Sequence, residues 1–252
     1  MAKYGLIGNP LGHSISPKIH ALLGISDYSL FPLEEEELSE FVKKNEPVAF
    51  NVTIPYKQKI IPFLTEVKGA AKEIGAVNTV VKTKNGAIGY NTDVNGMEYA
   101  LAQAGINPNG KNVLILGTGG TSRTAAYVAE KLGAKSVIKA GRNSEINYDN
   151  VYDLKDTEII INTTPVGMFP DVDKVPLSVE KFPVLIGVFD CIYNPSETLL
   201  VKRAKDRGIN AANGILMLIE QARKAEELFL GKPLPETLSR DVAEKLAASF
   251  NR

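Results

Sequence analysis

One cysteine, Cys191, occurs in 252 residues, so no internal disulfide can form. An excess of either charge is also missing: 29 basic and 29 acidic residues cancel, leaving no basic field of the kind that holds a nucleic-acid backbone or an anionic lipid surface. No apolar run approaches the roughly 18 residues needed to cross a bilayer. The chain runs from Met1 straight into the strand-like Tyr4-Gly5-Leu6-Ile7-Gly8, without the charged region, apolar stretch and cleavage site of a secretory leader. Only two histidines are present, His13 and His20. No serine or cysteine nucleophile pattern accompanies them, so both read as packing or local hydrogen-bonding residues. Repeats and low-complexity linkers are absent too. These absences argue against a disulfide scaffold, a nucleic-acid binder and a membrane protein, and they fit a reducing cytoplasm.

What is present is enough apolar residue, 44%, to bury a core in one large domain or two ordinary ones. Short β-like runs alternate with helical patterns, as in parallel sheets covered by crossover helices. Strands are expected at 3–8, 28–33, 48–53, 77–82 and 87–92, with helices from Pro17 and Glu35. Asn85-Gly86 between the last two strands suits a two-residue hairpin turn with positive φ at both positions, so an antiparallel edge is expected. The run Glu34 to Glu37 reads as acidic first-turn residues that complement a helix dipole. After Gly110 the pattern tightens into strands at 112–116, 136–140, 158–162, 184–189 and 209–212 between helices, a doubly wound arrangement. From Gly214 onward only helix is expected, broken near Gly231 to Pro235. The expected fold is α/β: residues 1–92 with 214–252 form a first domain, to which the C-terminal helices return, and 93–213 form a Rossmann-type second domain.

Gly117-Thr118-Gly119-Gly120-Thr121-Ser122 follows a strand and opens a helix. There, glycines let backbone approach a pyrophosphate whose charge faces the helix N-terminus. Ser122 takes the third small position of the usual fingerprint. The next strand ends Ala140-Gly141-Arg142-Asn143. An arginine at that point suits the 2′-phosphate of NADP, where an acid would suit NAD; a surface arginine is the alternative.

Three further segments carry polar groups to strand ends or helix starts, where ligands bind in open α/β sheets. In Ser14-Ile15-Ser16-Pro17, capping explains one serine and the proline. The second hydroxyl would make a compact carboxylate site. Asn51-Val52-Thr53-Ile54-Pro55-Tyr56-Lys57 alternates polar residues on a strand and places Lys57 past its end, although lysines are most often surface residues. Gly89-Tyr90-Asn91-Thr92-Asp93 ends the hairpin, where Asp93 either caps the next helix or converges with Asn78, Asn91 and Lys57 on a hydroxyl-rich ligand. Cys191, just past an apolar run, reads as a packed thiol.

Taken in order, Ser14-x-Ser16, Asn51-Val-Thr53-x-Pro55-x-Lys57, Gly75-Ala-Val-Asn78-Thr79, Asn91-Thr92-Asp93 and Gly117-x-Gly119-Gly120 closely resemble the shikimate/quinate dehydrogenase family. Asn162-Thr-Thr-Pro165-Val-Gly167-Met168, Asp190-x-x-Tyr193-x-Pro195 and Gly214-x-x-Met217-Leu218-x-x-Gln221 extend the match over nearly the whole chain. The resemblance implies reversible NADP-linked reduction of 3-dehydroshikimate to shikimate, a step toward aromatic amino acids. It implies that Ser14 and Ser16 bind the carboxylate, that Thr53, Asn78, Asp93, Tyr193 and Gln221 surround the ring, and that Lys57 and Asp93 form the catalytic pair. Gly117, Thr118, Gly119, Gly120, Thr121 and Arg142 would hold the dinucleotide, with Cys191 and Gly214 lining its nicotinamide end. No metal is expected.

One departure weakens the cofactor assignment: the family's usual Asn-Arg-Thr is Gly141-Arg142-Asn143 here, and the basic residue often found three positions later is replaced by Ile146 beside Glu145. An NAD-using quinate or shikimate dehydrogenase therefore stays open, as does a non-catalytic dinucleotide-binding regulator, because fold does not fix function. The joint presence of Lys57 and Asp93 argues against the regulator. The oligomeric state, a homodimer among the options, is not set by the sequence.

Overall fold

A computed structural model describes residues 3–12 and 14–250; His13 lies outside them. Residues up to Asn95 together with Ile219–Leu246 form one compact unit, and Gly96–Leu218 make the body of a second.

The first unit opens with β1 (Tyr4–Gly8), α1 (Ser16–Leu23), β2 (Tyr28–Pro32), α2 (Leu38–Lys43) and β3 (Ala49–Val52), then β4 (Glu66–Val67), α3 (Ala70–Ile74), β5 (Thr79–Thr83) and β6 (Gly86–Tyr90). The strands form one sheet in the order β2-β1-β3-β5-β6-β4. β1 runs parallel to both β2 and β3, β5 runs antiparallel to β3, and β6 turns back antiparallel to β5. Ile7, Phe50, Val52, Val77 and Val80 pack with Leu38, Phe41 and Ile60 into a core. The order places a change of winding direction between β1 and β3, so their carboxyl ends bound a crevice of the kind that takes ligands.

Three local expectations differ. The hairpin is not the sheet edge: the two-residue β4 pairs with β6 outside it, too short to show a period in sequence. Thr83 faces Gly86 across the hairpin, so the connecting residues are Lys84 and Asn85. Among the described residues only glycines adopt positive φ, Gly86 at +124° included, and Asn85 does not. The helix expected from Glu35 begins as a 3-10 turn, Glu35–Glu37, before α2. There the Glu34 amide donates to Glu37 Oε2 at 2.8 Å, Glu34 accepts from Asn9 at 3.1 Å and Glu35 pairs with Lys59, so capping and pairing occupy this acidic run.

α4 (Asp93–Gln103) leads into the second unit: β7 (Asn112–Leu116), α5 (Gly120–Lys131), β8 (Ser136–Ala140), β9 (Ile159–Asn162), β10 (Gly187–Asp190), α6 (Leu199–Asp206) and β11 (Asn210–Ala212). All pair in parallel in the order β11-β10-β9-β7-β8, the doubly wound arrangement expected. β10 starts later than expected because Val184 and Ile186 stand exposed ahead of it.

α7 (Ile215–Leu230) and α8 (Leu238–Phe250) close the chain. From Ile219 on α7 belongs to the first unit, where Phe229 stacks on Tyr4 with ring centroids 5.3 Å apart and Glu226 meets His20 at 2.9 Å. Arg223, 1% exposed, binds Glu220 through two nitrogens at 2.8 and 2.6 Å. Its remaining arm donates to Glu227 at 2.8 Å and to the Leu234 carbonyl at 2.7 Å. Ser239 of α8 donates to the same Glu220 at 2.6 Å, so one guanidinium joins α7, the connecting loop and α8. No helix among the described residues is long and apolar enough to cross a membrane.

Candidate active site

Lys57 is placed by the turn that follows β3. The Thr53 amide donates to the Ile7 carbonyl of β1 at 2.9 Å and the Tyr56 amide to Thr53 at 2.8 Å, while the Tyr56 ring is buried. The Lys57 carbonyl accepts from the Val77 amide at 2.7 Å, so its backbone is held on both sides and only the side chain projects. Lys57 Nζ donates to Asp93 Oδ2 at 2.6 Å, with both side chains mostly buried at 20% and 12% exposure.

Asp93 is the first residue of α4, where a carboxylate complements the helix dipole. Its second oxygen, Oδ1, accepts from Asn78 Nδ2 at 2.8 Å. Both oxygens therefore have side-chain partners. Further bonds fix Asn78 itself: its backbone amide donates to Tyr90 and its carbonyl accepts from Val52, its Oδ1 accepts from the Thr92 amide at 2.7 Å, and Nδ2 also reaches Thr92 Oγ1 at 3.0 Å and Gln221 Oε1 at 3.3 Å. Lys57, Asn78, Asp93 and Gln221 thus form one connected cluster at the crevice edge of the sheet.

A network behind this cluster was not foreseen as a unit. Asn51 accepts from the Tyr28 hydroxyl at 2.8 Å and donates to Thr79 Oγ1 at 3.1 Å, and Thr79 donates to Asn78 Oδ1 at 2.9 Å. All five side chains from Tyr28 to Asp93 in this chain are buried, where a satisfied polar network fixes geometry. The paired Asn78-Thr79 and Asn91-Thr92 dipeptides were the available signal. Asn91 takes a different path from the one expected: its amide donates to Ala76 at 3.0 Å.

Thr53 sits against β1, since a Cβ on Gly8 would fall 2.5 Å from Thr53 Cγ2. Ser14 and Ser16 are half-buried at the start of α1. Neither caps the helix, whose N-cap is Ile15 without a side-chain bond. Instead the two hydroxyls lie 3.1 Å apart and Ser14 Oγ accepts from the Ser16 amide, which leaves a paired-hydroxyl surface on the β1 side of the crevice.

In the second unit, Gly117 at φ +109° turns the chain out of β7, and a Cβ there would strike Thr163 Oγ1 at 2.6 Å. α5 starts at Gly120 with Gly119 as an N-cap that offers no side-chain bond. Cβ atoms built on Gly119 or Gly120 meet nothing within 4 Å. The backbone at these two glycines is therefore open to close approach, as a phosphate at a helix N-terminus requires. Thr121 follows Gly120 in the first turn, and Ser122 is buried, donating to the Gly119 carbonyl at 2.8 Å, as close packing requires. The departure at Gly141 has a local cause: a Cβ there would fall 2.6 Å from Thr118 Cγ2 and 2.8 Å from Ser144 Oγ. Thr118 fills the space that a side chain at 141 would need. Arg142 is exposed and its charge acts on Tyr148, whose phenol is nevertheless pushed up by burial. Ile146 packs against the core and offers no charge.

Tyr193, Cys191 and Gly214 also belong to the second unit. Burial raises the Tyr193 phenol above its ordinary range. Cys191 and Gly214 touch so closely that a Cβ on Gly214 would lie 2.2 Å from the Cys191 carbonyl oxygen; only glycine fits. Between them Asp190 accepts from Asn162 at 3.0 Å, the Ile192 amide at 3.1 Å and Thr198 at 2.7 Å. Burial outweighs these bonds and pushes its carboxyl up to about 6. Folding then binds more protons than the unfolded chain does between its reference value near 4 and about 6. Asp190's contribution to stability is present below pH ~4 and is lost as pH rises through about 6. Asp190→Asn is expected to remove this loss, so its urea midpoint relative to the wild type rises from pH 4 to pH 6; parallel profiles for the two proteins would refute the assignment.

Comparison with known proteins shows the family. The family model described as the shikimate dehydrogenase substrate binding domain matches residues 6–80. A curated relative from Clostridium perfringens, Shikimate dehydrogenase (NADP(+)), is 34% identical over 99% of this chain and 100% of its own length. Among solved structures, a chorismate mutase/shikimate 5-dehydrogenase fusion protein from Clostridium acetobutylicum superposes with a TM-score of 0.94 at 35% identity, covering 99% of this chain and 98% of that one. Shikimate 5-dehydrogenase from Thermus thermophilus, in complex with NADP(H) and shikimate, gives 0.84 at 28% identity, covering 97% and 99%. With end-to-end identity at this level and the same two folds, the chain belongs to the shikimate dehydrogenase family.

Proposed function

We propose that this protein catalyses the reversible NADP-linked reduction of 3-dehydroshikimate to shikimate in the cytoplasm, with the first unit holding the substrate and the second the dinucleotide. The Lys57–Asp93 contact of 2.6 Å, locked from behind by Asn78, carries this reading. A regulator that only bound dinucleotide would gain nothing from a nearly buried ion pair, which costs desolvation unless it is used.

Ser14 and Ser16 bind the substrate carboxylate through their paired hydroxyls. Thr53, Asn78, Asp93, Gln221 and Tyr193 read the ring hydroxyls. Gly117 to Thr121 and Arg142 would hold NADPH, with Cys191 and Gly214 at the nicotinamide end, and the bound dinucleotide would supply a hydride. As negative charge develops on the carbonyl oxygen, the Lys57 ammonium transfers a proton to that oxygen, and Asp93 keeps Nζ aimed throughout. In the oxidative direction the Lys57 amine accepts the hydroxyl proton.

Initial rates with NADP and NAD, each on shikimate and on quinate, test the assignment: turnover is expected to be highest with NADP and shikimate, and a preference for NAD with quinate would replace it by the quinate reading. Arg142→Ala is expected to weaken NADP binding far more than NAD binding, since a guanidinium loses charge-assisted bonds only where a phosphate receives them. Equal losses would remove Arg142 from the 2′-phosphate site.

A further inference from the structure

At the opposite end of β3, β5 and β6 from Thr53, Asn78 and Asp93, the first unit contains a cavity of about 530 Å³, within the size range of small-molecule sites. Lys43, Lys44, Lys82 and Lys84 line it, and no acidic residue does. Lys44 has one carboxylate partner, Glu40, at a loose 3.8 Å and itself 80% exposed. Lys82 spends two ammonium protons on the last carbonyls of α2, Phe41 at 3.2 Å and Lys44 at 2.9 Å. It lies over the faces of Phe41 and Phe50, 5.5 and 5.4 Å from their centroids. Val42, Val48, Phe63 and Ala87 supply an apolar wall, beside the polar Asn45, Thr65 and Thr83.

We propose that this cavity is a second, non-catalytic binding site for a small phosphate monoester, its phosphate held by Lys43, Lys44 and Lys84 above Lys82 and its organic body laid on the apolar wall. Lysines act as compact point charges suited to a dianion, whereas a planar carboxylate is better matched by the fork of arginine, and none lines the cavity. No carboxylate lines the cavity, and Lys44 meets Glu40 only at 3.8 Å. Burial, reinforced by Lys44, lowers the Lys82 ammonium to about 8, as expected of a cation without its counter-ion, and a bound anion would raise it again.

Phenyl phosphate, inorganic phosphate and phenol, titrated into the full chain carrying ¹³C-labelled lysine, test this site. The Lys82 ε-carbon signal reports the cavity locally, so binding in the dinucleotide cradle does not register. Phenyl phosphate is expected to shift that signal saturably and to raise its titration midpoint above 8, inorganic phosphate to bind more weakly, and phenol to have no effect. The Lys43→Glu/Lys84→Glu double variant is expected to bind phenyl phosphate at least about tenfold more weakly with kcat on shikimate unchanged. If that variant folds poorly, Lys43→Gln/Lys84→Gln is expected to weaken binding in the same direction. An unmoved Lys82 signal, unaltered affinity in the variants, or equal affinity for phenyl and inorganic phosphate would overturn the proposal.

Discussion

Lys57→Met is expected to lower kcat for shikimate oxidation by about 10²- to 10⁴-fold, the usual cost of losing one positioned acid or base, while the dissociation constant for shikimate changes little. The methionine keeps most of the stem volume and removes only the ammonium. Ser14, Ser16, Thr53 and Gln221 remain to hold the ring, and the Asn78–Asp93 bond of 2.8 Å persists without Lys57. Turnover at saturating shikimate and calorimetric binding separate the two effects. A variant with near-normal kcat and weakened binding would make Lys57 a clamp and move the proton donor elsewhere.

Arg223→Met is expected to cost about 3–5 kcal/mol of stability, the range seen when one partner of a buried ion pair is removed. Glu220, 4% exposed beside it, would keep its charge with only Ser239 as a donor, and the Leu234 carbonyl would lose its guanidinium partner. The link between α7 and α8 goes with it. Urea unfolding at neutral pH measures the loss by linear extrapolation. A deficit below about 1 kcal/mol would show that Glu220 finds other compensation, and the cluster would then not hold these helices together.

Much of the architecture could be read directly because parallel strands are short apolar runs: the buried Asn112–Leu116 and the half-exposed edge strand Ser136–Ala140 have the ends expected of them. Where pairing across the chain decides the outcome, single-strand reading fell short. The two residues of β4 become a strand only because β6 offers an edge, and the positive φ of the hairpin falls on Gly86 at +124° rather than on Asn85. At the site, Lys57, Asn78 and Asp93 were legible through the family's spacing. The Tyr28–Asn51–Thr79 network was not, since it depends on the register of β3 against β5. Ser14 resembles a cap in sequence, yet its hydroxyl is spent on the Ser16 amide.

The first unit is sewn from both ends of the chain, which sets an order of events at the ribosome. Its sheet is complete once Tyr90 emerges, but Phe229 and Glu226, which cover Tyr4 and His20, are synthesised only after the whole of Gly96–Leu218. At elongation rates of about 5–20 residues per second that interval lasts on the order of ten seconds. During it the nascent first unit presents an uncovered aromatic and apolar face while its neighbour is still being made. The two units therefore mature out of sequence, the later-begun one able to finish first. A chain that stalls before α7 leaves that face open to chaperones and to other nascent chains.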